Sequence, residues 1–310
     1  MTFGRNTYGQ LGLDNTETKT TPTLVPGLEK MNVIGAACGR NHTLFLTDTG
    51  TVYACGDNRS GQCGFSVILD VKGGLHSFGL PEYGQLGHNT DGKYFKTSTK
   101  LCFNYQTSPK RIVLYIEKTK DGHVAPVDVQ QIVDFSCGQN HTVAIDSKKR
   151  AFSWGFGGFG RLGHAEQKDE MYFDSQSRGV RSVHCGSTYS LAITEYNGLF
   201  MFGQTRKTGE ANMYPKPIHD LAGWVIKYVG TAQTSIVVAA DETVISWGGS
   251  PCYGELGYGE MQKSSTVTKL SGYKVLGLSM GLCFTLMIVA NETDEQKEKV
   301  AKLPEYKPAV

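Results

Sequence analysis

The chain has 310 residues, 19% charged and 39% hydrophobic, with a net charge of +2. That mix excludes a disordered or fibrous protein, and it gives a nucleic-acid partner no support from overall charge. No apolar run nears the roughly 20 residues of a membrane span and no signal-peptide core opens the chain, so a soluble, intracellular protein is expected.

Taken in chain order, one short motif keeps returning. FGRNTYGQLG begins at residue 3, CGDNRSGQCG at 55, FGLPEYGQLG at 78, WGFGGFGRLG at 154 and WGGSPCYGELG at 247, with a worn copy, FGQTRKTGEA, at 202. A second motif precedes most of them: CGRNHTLFL at 38, CGQNHTVAI at 137, CGSTYSLAI at 185, GTAQTSIVV at 230 and MGLCFTLMI at 280; FSVILD at 65 stands as a worn copy. The glycine of one motif and that of the next keep a constant interval at Gly39–Gly56, Gly138–Gly155 and Gly186–Gly203, and Gly230–Gly248 is longer by a single position. Each span holds two apolar runs split by a turn, as in HTLFL-TDTG-TVYACG, which predicts a β-hairpin. Full units recur at Gly138, Gly186, Gly230 and Gly281, roughly 40–50 residues apart, the period of propeller blades. The step from Gly56 to Gly79 is only half that period, so half a blade of connecting chain is missing there, and residues 172–178 look shortened.

Gly155, Gly157 and Gly160 have the G-x-G-x-x-G spacing of a dinucleotide-binding loop after a strand-like run. Such a loop opens a helix with apolar residues at helical spacing, whereas RLGHAEQKDEMYF runs polar before its last three residues. Gly155, Gly160 and Gly163 recur in the other copies, which assigns them to positive-φ turns and close packing and leaves no cofactor to bind.

The alternation of CGxNHTLxL…xxGxVYxxG with GxNxxGQLG over residues 3–290 resembles the repeats of the regulator of chromosome condensation family. The resemblance implies an all-β fold, a β-propeller that has seven blades in the family and about six recognisable units here. By the same resemblance, the basic N-terminal extension and first blade of the family's members are expected to be missing from this chain. The expected organisation is a propeller over residues 1–290 with an inserted hairpin at about 104–130, then a charged helix and tail over 291–310. In DEQKEKVAKL (294–303), Val300 and Leu303 stand at helical spacing, and Pro304 ends the helix.

Function in a propeller sits in loops longer than the repeat needs. The stretch from Gly87 to Gly138 is more than twice as long as its counterpart from Gly163 to Gly186. The surplus centres on 108–129 and reads as a projecting hairpin turning at Asp121-Gly122, or as an edge extension packed on the propeller side. Glu117, Lys118, Lys120 and Asp121 crowd its tip and Lys110 and Arg111 its base, a set suited to a protein partner. By resemblance, the partner is a small GTPase of the Rac or Arf type and the setting is mitosis: nuclear, nucleolar and cytoplasmic, with centromere and spindle midzone. In the family's founding member a protruding hairpin displaces nucleotide from its GTPase, so exchange activity stands as an alternative that needs no catalytic residue; chromatin or microtubule binding is another. No cofactor and no metal site is expected: there is no C-x-x-C pair, and the recurring Cys-Gly at Cys38, Cys137 and Cys185 reads as core filling. His42 and His141 share one repeat position and are expected to hydrogen-bond into a neighbouring turn. His88 and His164 are expected at the rim of a face, and Trp154, Trp224 and Trp247 in the core.

Overall fold

The computed structural model describes residues 1–58, 65–118, 121, 123–128, 131–205, 210–241, 243–248, 255–257, 264–271, 273–281 and 284–302, with side chains undescribed at 117–118, 170–178 and 264–271. The fold is all-β, with one short α-helix among the described residues. The chain divides into two compact units, residues 1–115 with 170–173 and residues 116–169 with 174–310. The division at Tyr115/Ile116 falls within the inserted segment.

In the first unit, β1 (Thr2–Gly4) pairs with β2 (Lys19–Thr23), and β3 (Val33–Cys38), β4 (His42–Thr47) and β5 (Val52–Gly56) form an antiparallel sheet. There follow β6 (Phe65–Leu69), β7 (Leu75–Gly79), β8 (Lys93–Thr97), β9 (Lys100–Phe103) and β10 (Gln106–Arg111), in a sheet of order β10-β7-β6 and a separate ribbon β8-β9. Apart from Tyr115 and residues 170–173, the second unit opens with β11 (Tyr115–Lys118) and β12 (Val124–Pro126), then β13 (Ile132–Cys137), β14 (His141–Asp146), β15 (Arg150–Gly155) and β16 (Glu170–Arg178). Their sheet runs β12-β11-β16-β15-β14-β13. Next come two four-stranded sheets: β17 (Val180–Cys185), β18 (Tyr189–Thr194), β19 (Leu199–Gly203) and β20 (Asn212–Pro217), then β21 (Ile226–Thr231), β22 (Ser235–Ala240), β23 (Thr243–Gly248) and β24 (Ser264–Ser271). A ribbon of β25 (Val275–Met280) and β26 (Thr285–Val289) precedes α1 (Asp294–Ala301). Thr293 and Gln296 close a capping box on α1, which buries no residue. Leu303 and Pro304 lie outside the described residues.

The repeat dictates the register. His42 faces Gly56, Phe65 faces Gly79, His141 faces Gly155 and Tyr189 faces Gly203, with the same chain separation in all four pairs. The worn copy at 65 therefore pairs like the others. In the last complete sheet Ser235 faces Gly248, closer along the chain by a single position. There the position of Gly39 is held by Ala232 and not by Gly230: Gly39, Gly138, Gly186, Ala232 and Gly281 each donate their N–H to the carbonyl three residues on. The same chain shows why. A Cβ on Gly138 would overlap the His141 ring, one on Gly186 the Tyr189 ring and one on Gly281 the Phe284 ring. Where the residue three places on is the small Ser235, alanine fits.

The core lies between successive sheets. In the second unit Tyr189, Leu191, Ile193 and Leu199 of one sheet pack with Ile226, Ile236, Val238 and Ile245 of the next. Trp154 and Trp247 are buried and Trp224 packs at the edge of that cluster. In the first unit Leu11, Leu13, Val25 and Phe45 form a smaller cluster.

Candidate partner-binding surface

The six charged positions lie on three different features. Lys110 and Arg111 are exposed on β10, opposite Ser77 and His76 of β7. They hold the rungs that Lys216 and Pro217 hold on β20, opposite Met201 and Phe200. They are thus fourth-strand residues of a blade and not the base of the hairpin; the chain leaves the ladder only after Ile112, which is buried and donates its N–H to Leu75 O at 2.8 Å. Glu117 and Lys118 are on β11, opposite Ala125 and Val124 of β12. Lys120 and Gly122 lie outside the described residues. Asp121 is exposed in the turn between the two strands.

The β11–β12 hairpin is edge structure. It adds a fifth and a sixth strand outside β16, in place of standing free. A lone two-stranded hairpin is marginal in water, and lining β11 along an existing strand satisfies one row of its backbone groups. Tyr115 and Ile116 at its start are buried, and burial pushes the Tyr115 hydroxyl up to about 12.

The loop at 154–164 has no nucleotide geometry. Gly155, Gly160 and Gly163 have φ of 105°, 71° and 77°; Gly4, Gly9 and Gly12 repeat this at 111°, 73° and 68°. Two tandem turns, Gly160 N–H to Gly157 O and Gly163 N–H to Gly160 O, follow the strand where a cofactor helix would start. Gly157 has an ordinary φ of −87°, but a Cβ there would overlap the Lys168 backbone, and its N–H donates to Asp169 Oδ1 at 2.9 Å. Arg161, only 2% exposed, stands where Gln10 and Gln85 stand in two other copies and Glu255 in a third. Gln10 accepts from Tyr8 N–H and Gln85 from Tyr83 N–H; Arg161 instead donates to Gly158 O at 2.9 Å and Ser187 O at 2.9 Å, over the Phe156 ring. Burial lowers its pKa to about 10.

The repeat histidines are ties between sheets. His141 Nε2 meets Ser190 Oγ at 2.9 Å, and Ser190 donates to Arg161 O, so His141 carries its proton on Nε2 and leaves Nδ1 bare. Burial holds its pKa down at about 3. His42 makes the corresponding contact to Ser66 at 3.4 Å. In the next copy Tyr189 does this work, donating to Ala232 O at 3.1 Å and Ser235 O at 2.9 Å. His88 and His164 bond the strand serines Ser77 and Ser153, within the turns. Cys137 and Cys185 are thiols pushed up to about 12 by burial, and no cluster of three or more metal-ligating side chains exists among the described residues.

Sequence reasoning missed the β8–β9 ribbon. Its signal was present: in KYFKTSTKLCF (93–103), two strand-like runs are joined by Ser98-Thr99.

Models of the regulator of chromosome condensation (RCC1) repeat match residues 2–46, 72–145 and 150–193, and again 33–62 and 132–161. The chain is 46% identical to Protein RCC2 of Homo sapiens and 46% identical to the Protein RCC2 homolog of Danio rerio, in both cases over 99% of its own length. It spans 66% of the first and 70% of the second. The crystal structure of human WBSCR16 superposes with a TM-score of 0.73 at 17% identity, covering 93% of this chain and 80% of that one. That of Prp20p from Saccharomyces cerevisiae, described with its binding properties to Gsp1p and histones, gives 0.53 at 17%, covering 96% and 93%. These likenesses show the fold, a propeller of such repeats. No helix among the described residues is long and apolar enough to cross a membrane.

Proposed function

The chain belongs to the regulator of chromosome condensation repeat family, and from that premise we propose that it is a non-catalytic propeller scaffold that binds a small GTPase of the Rac or Arf class. On this reading it regulates that GTPase's signalling in mitosis, chromosome segregation and cell-cycle progression. It works in nucleus and cytoplasm and, during division, at centromere and spindle midzone.

The observation that carries the reading is the β11–β12 hairpin, two strands that a four-stranded blade does not require, with Asp121 exposed at its turn. Glu117, Lys118, Lys120 and Asp121 give this short stretch charges of both signs. Charges of both signs set partner choice and encounter rate more than raw affinity. The binding to Gsp1p named for Prp20p supports the same partner class.

Replacing Lys118 and Lys120 with glutamate is expected to weaken capture of the GTPase by about tenfold while the melting midpoint stays unmoved. Equal capture by the double variant excludes the hairpin from the interface. Nucleotide exchange is the second reading, favoured by the GTPase named for Prp20p; release of a fluorescent nucleotide from a panel of GTPases separates a binder from an exchange factor. Chromatin binding, the histone half of that comparison, predicts a steep fall of affinity with salt.

A further inference from the structure

Between the Gly87 turn and β10 the chain makes a detour. Gly203 and Asn212 are paired across a short connection; Gly79 and Gln106 hold the same rung across three times that length of chain. The surplus folds as the β8–β9 ribbon, closed at its base by Asn104 N–H to Gly92 O at 2.8 Å. Gly92 has a φ of +64°, and a Cβ there would press on Pro81 and on the Asn104 carbonyl, so the ribbon leaves the unit at a fixed point.

The pairing sorts its side chains. Lys93 faces Phe103 and Phe95 faces Leu101 on one side of the ribbon; Tyr94 faces Cys102 on the other. The register shifts between Phe95 and Thr97, and Thr97 pairs with Lys100 at the tip. Phe95 is 68% exposed and Leu101 44%, an apolar cross-strand pair left in water. Between residues 91 and 111 the chain has five cations, Lys93, Lys96, Lys100, Lys110 and Arg111, against the single carboxylate of Asp91. That stretch is net +4 in a protein of net +2. Asp91 is taken by Lys93 at 3.0 Å, while Lys96 and Lys100 have no carboxylate partner among the described residues.

We propose that the β8–β9 ribbon is a docking strip for an extended acidic segment of a protein partner, with apolar side chains between its carboxylates. The apolar side chains cover Phe95 and Leu101, and the carboxylates meet Lys96 and Lys100 at the margin. The width argues for an extended chain: two strands are about 5 Å apart, whereas a helix is about 10 Å across. A single-stranded nucleic acid needs rings and cations on one face to stack successive bases, but Phe95 and Tyr94 face opposite ways. A bilayer-inserting hairpin places its apolar residues at the tip; here the tip is Thr97, Ser98, Thr99 and Lys100, and the apolar pair lies behind it.

The test is fluorescence anisotropy of the full chain with a labelled peptide of six glutamate–leucine repeats. The comparison probes are a lysine–leucine peptide, a single-stranded oligonucleotide and phosphatidylserine vesicles. Saturable binding of the acidic peptide is expected. Phe95→Asp with Leu101→Asp should weaken it at least tenfold, and Lys96→Glu with Lys100→Glu should weaken it and flatten its salt dependence. These residues are exposed, so the melting midpoint of both variants should match the parent. No binding of the acidic peptide, tighter binding of the oligonucleotide or vesicles, or equal binding by both variants overturns the inference.

Discussion

The hairpins β4–β5 and β14–β15 are built alike and situated differently. Both pair an opening histidine with a closing glycine, His42 with Gly56 and His141 with Gly155, in the same register. Yet β14 is buried at all six positions, while β4 and β5 are mixed and Tyr53 stays 38% exposed. His141 is fully buried and bonds Ser190 at 2.9 Å; His42 is half-buried and reaches Ser66 at 3.4 Å. The lesson is that the motif sets strand pairing, and the covering of each sheet by its neighbours sets energy.

The strongest way to break that comparison is to truncate both histidines. His141→Ala empties a buried site and removes an intersheet hydrogen bond, and it is expected to cost about 2–4 kcal/mol. His42→Ala, at a partly solvated site with a longer bond, should cost less than about 1 kcal/mol. Urea unfolding of the two variants checks this; equal losses would mean that burial does not distinguish the hairpins.

Acid should sharpen the contrast. Burial holds His141 at about 3 and His184 at about 4, so both are neutral when folded and take up a proton only on unfolding. Because the folded values are depressed, their contribution is whole above the ordinary histidine value near 6.5. It declines as pH falls from there toward 4 and 3. At about pH 5.5 the loss is on the order of 1 kcal/mol per histidine. Unfolding curves at about pH 7.5 and 5.5 should show it, and His141→Gln should recover about half.

The smallest effect concerns a turn. After the third motif glycine, the backbone goes left-handed at Asp14, Asn89 and Ala165, with φ of 54°, 58° and 65°. Asparagine and aspartate tolerate this region; alanine does not. Ala165 is exposed, so Ala165→Asn should stabilise by about 0.5–1 kcal/mol, raising the melting midpoint slightly. The same exchange at Asn89, reversed to alanine, should cost a similar amount.

Much of the candidate surface was legible and some was not. The charges at 117–121 and the turn at Asp121 follow from apolar runs flanking Asp-Gly. That Lys110 and Arg111 belong to a fourth strand was not legible, because TSPKR looks like a loop until it is laid beside β7. The surplus before residue 138 read as one hairpin and is two, β8–β9 and β11–β12, on either side of β10. A strand without alternation, whose single β-branched residue is Thr107, acquires its identity from the edge it covers.

By itself, the sequence determined the succession of hairpins, their constant register and the places where glycine must stand. Those features rest on φ and on pairing between residues close together along the chain, so they are written locally. Tertiary structure decided which of two equivalent histidines is buried, that Arg161 donates to the Gly158 and Ser187 carbonyls, and that an inserted hairpin becomes a sheet edge. Each of these depends on which surface lies against the residue, and residues distant along the chain supply that surface.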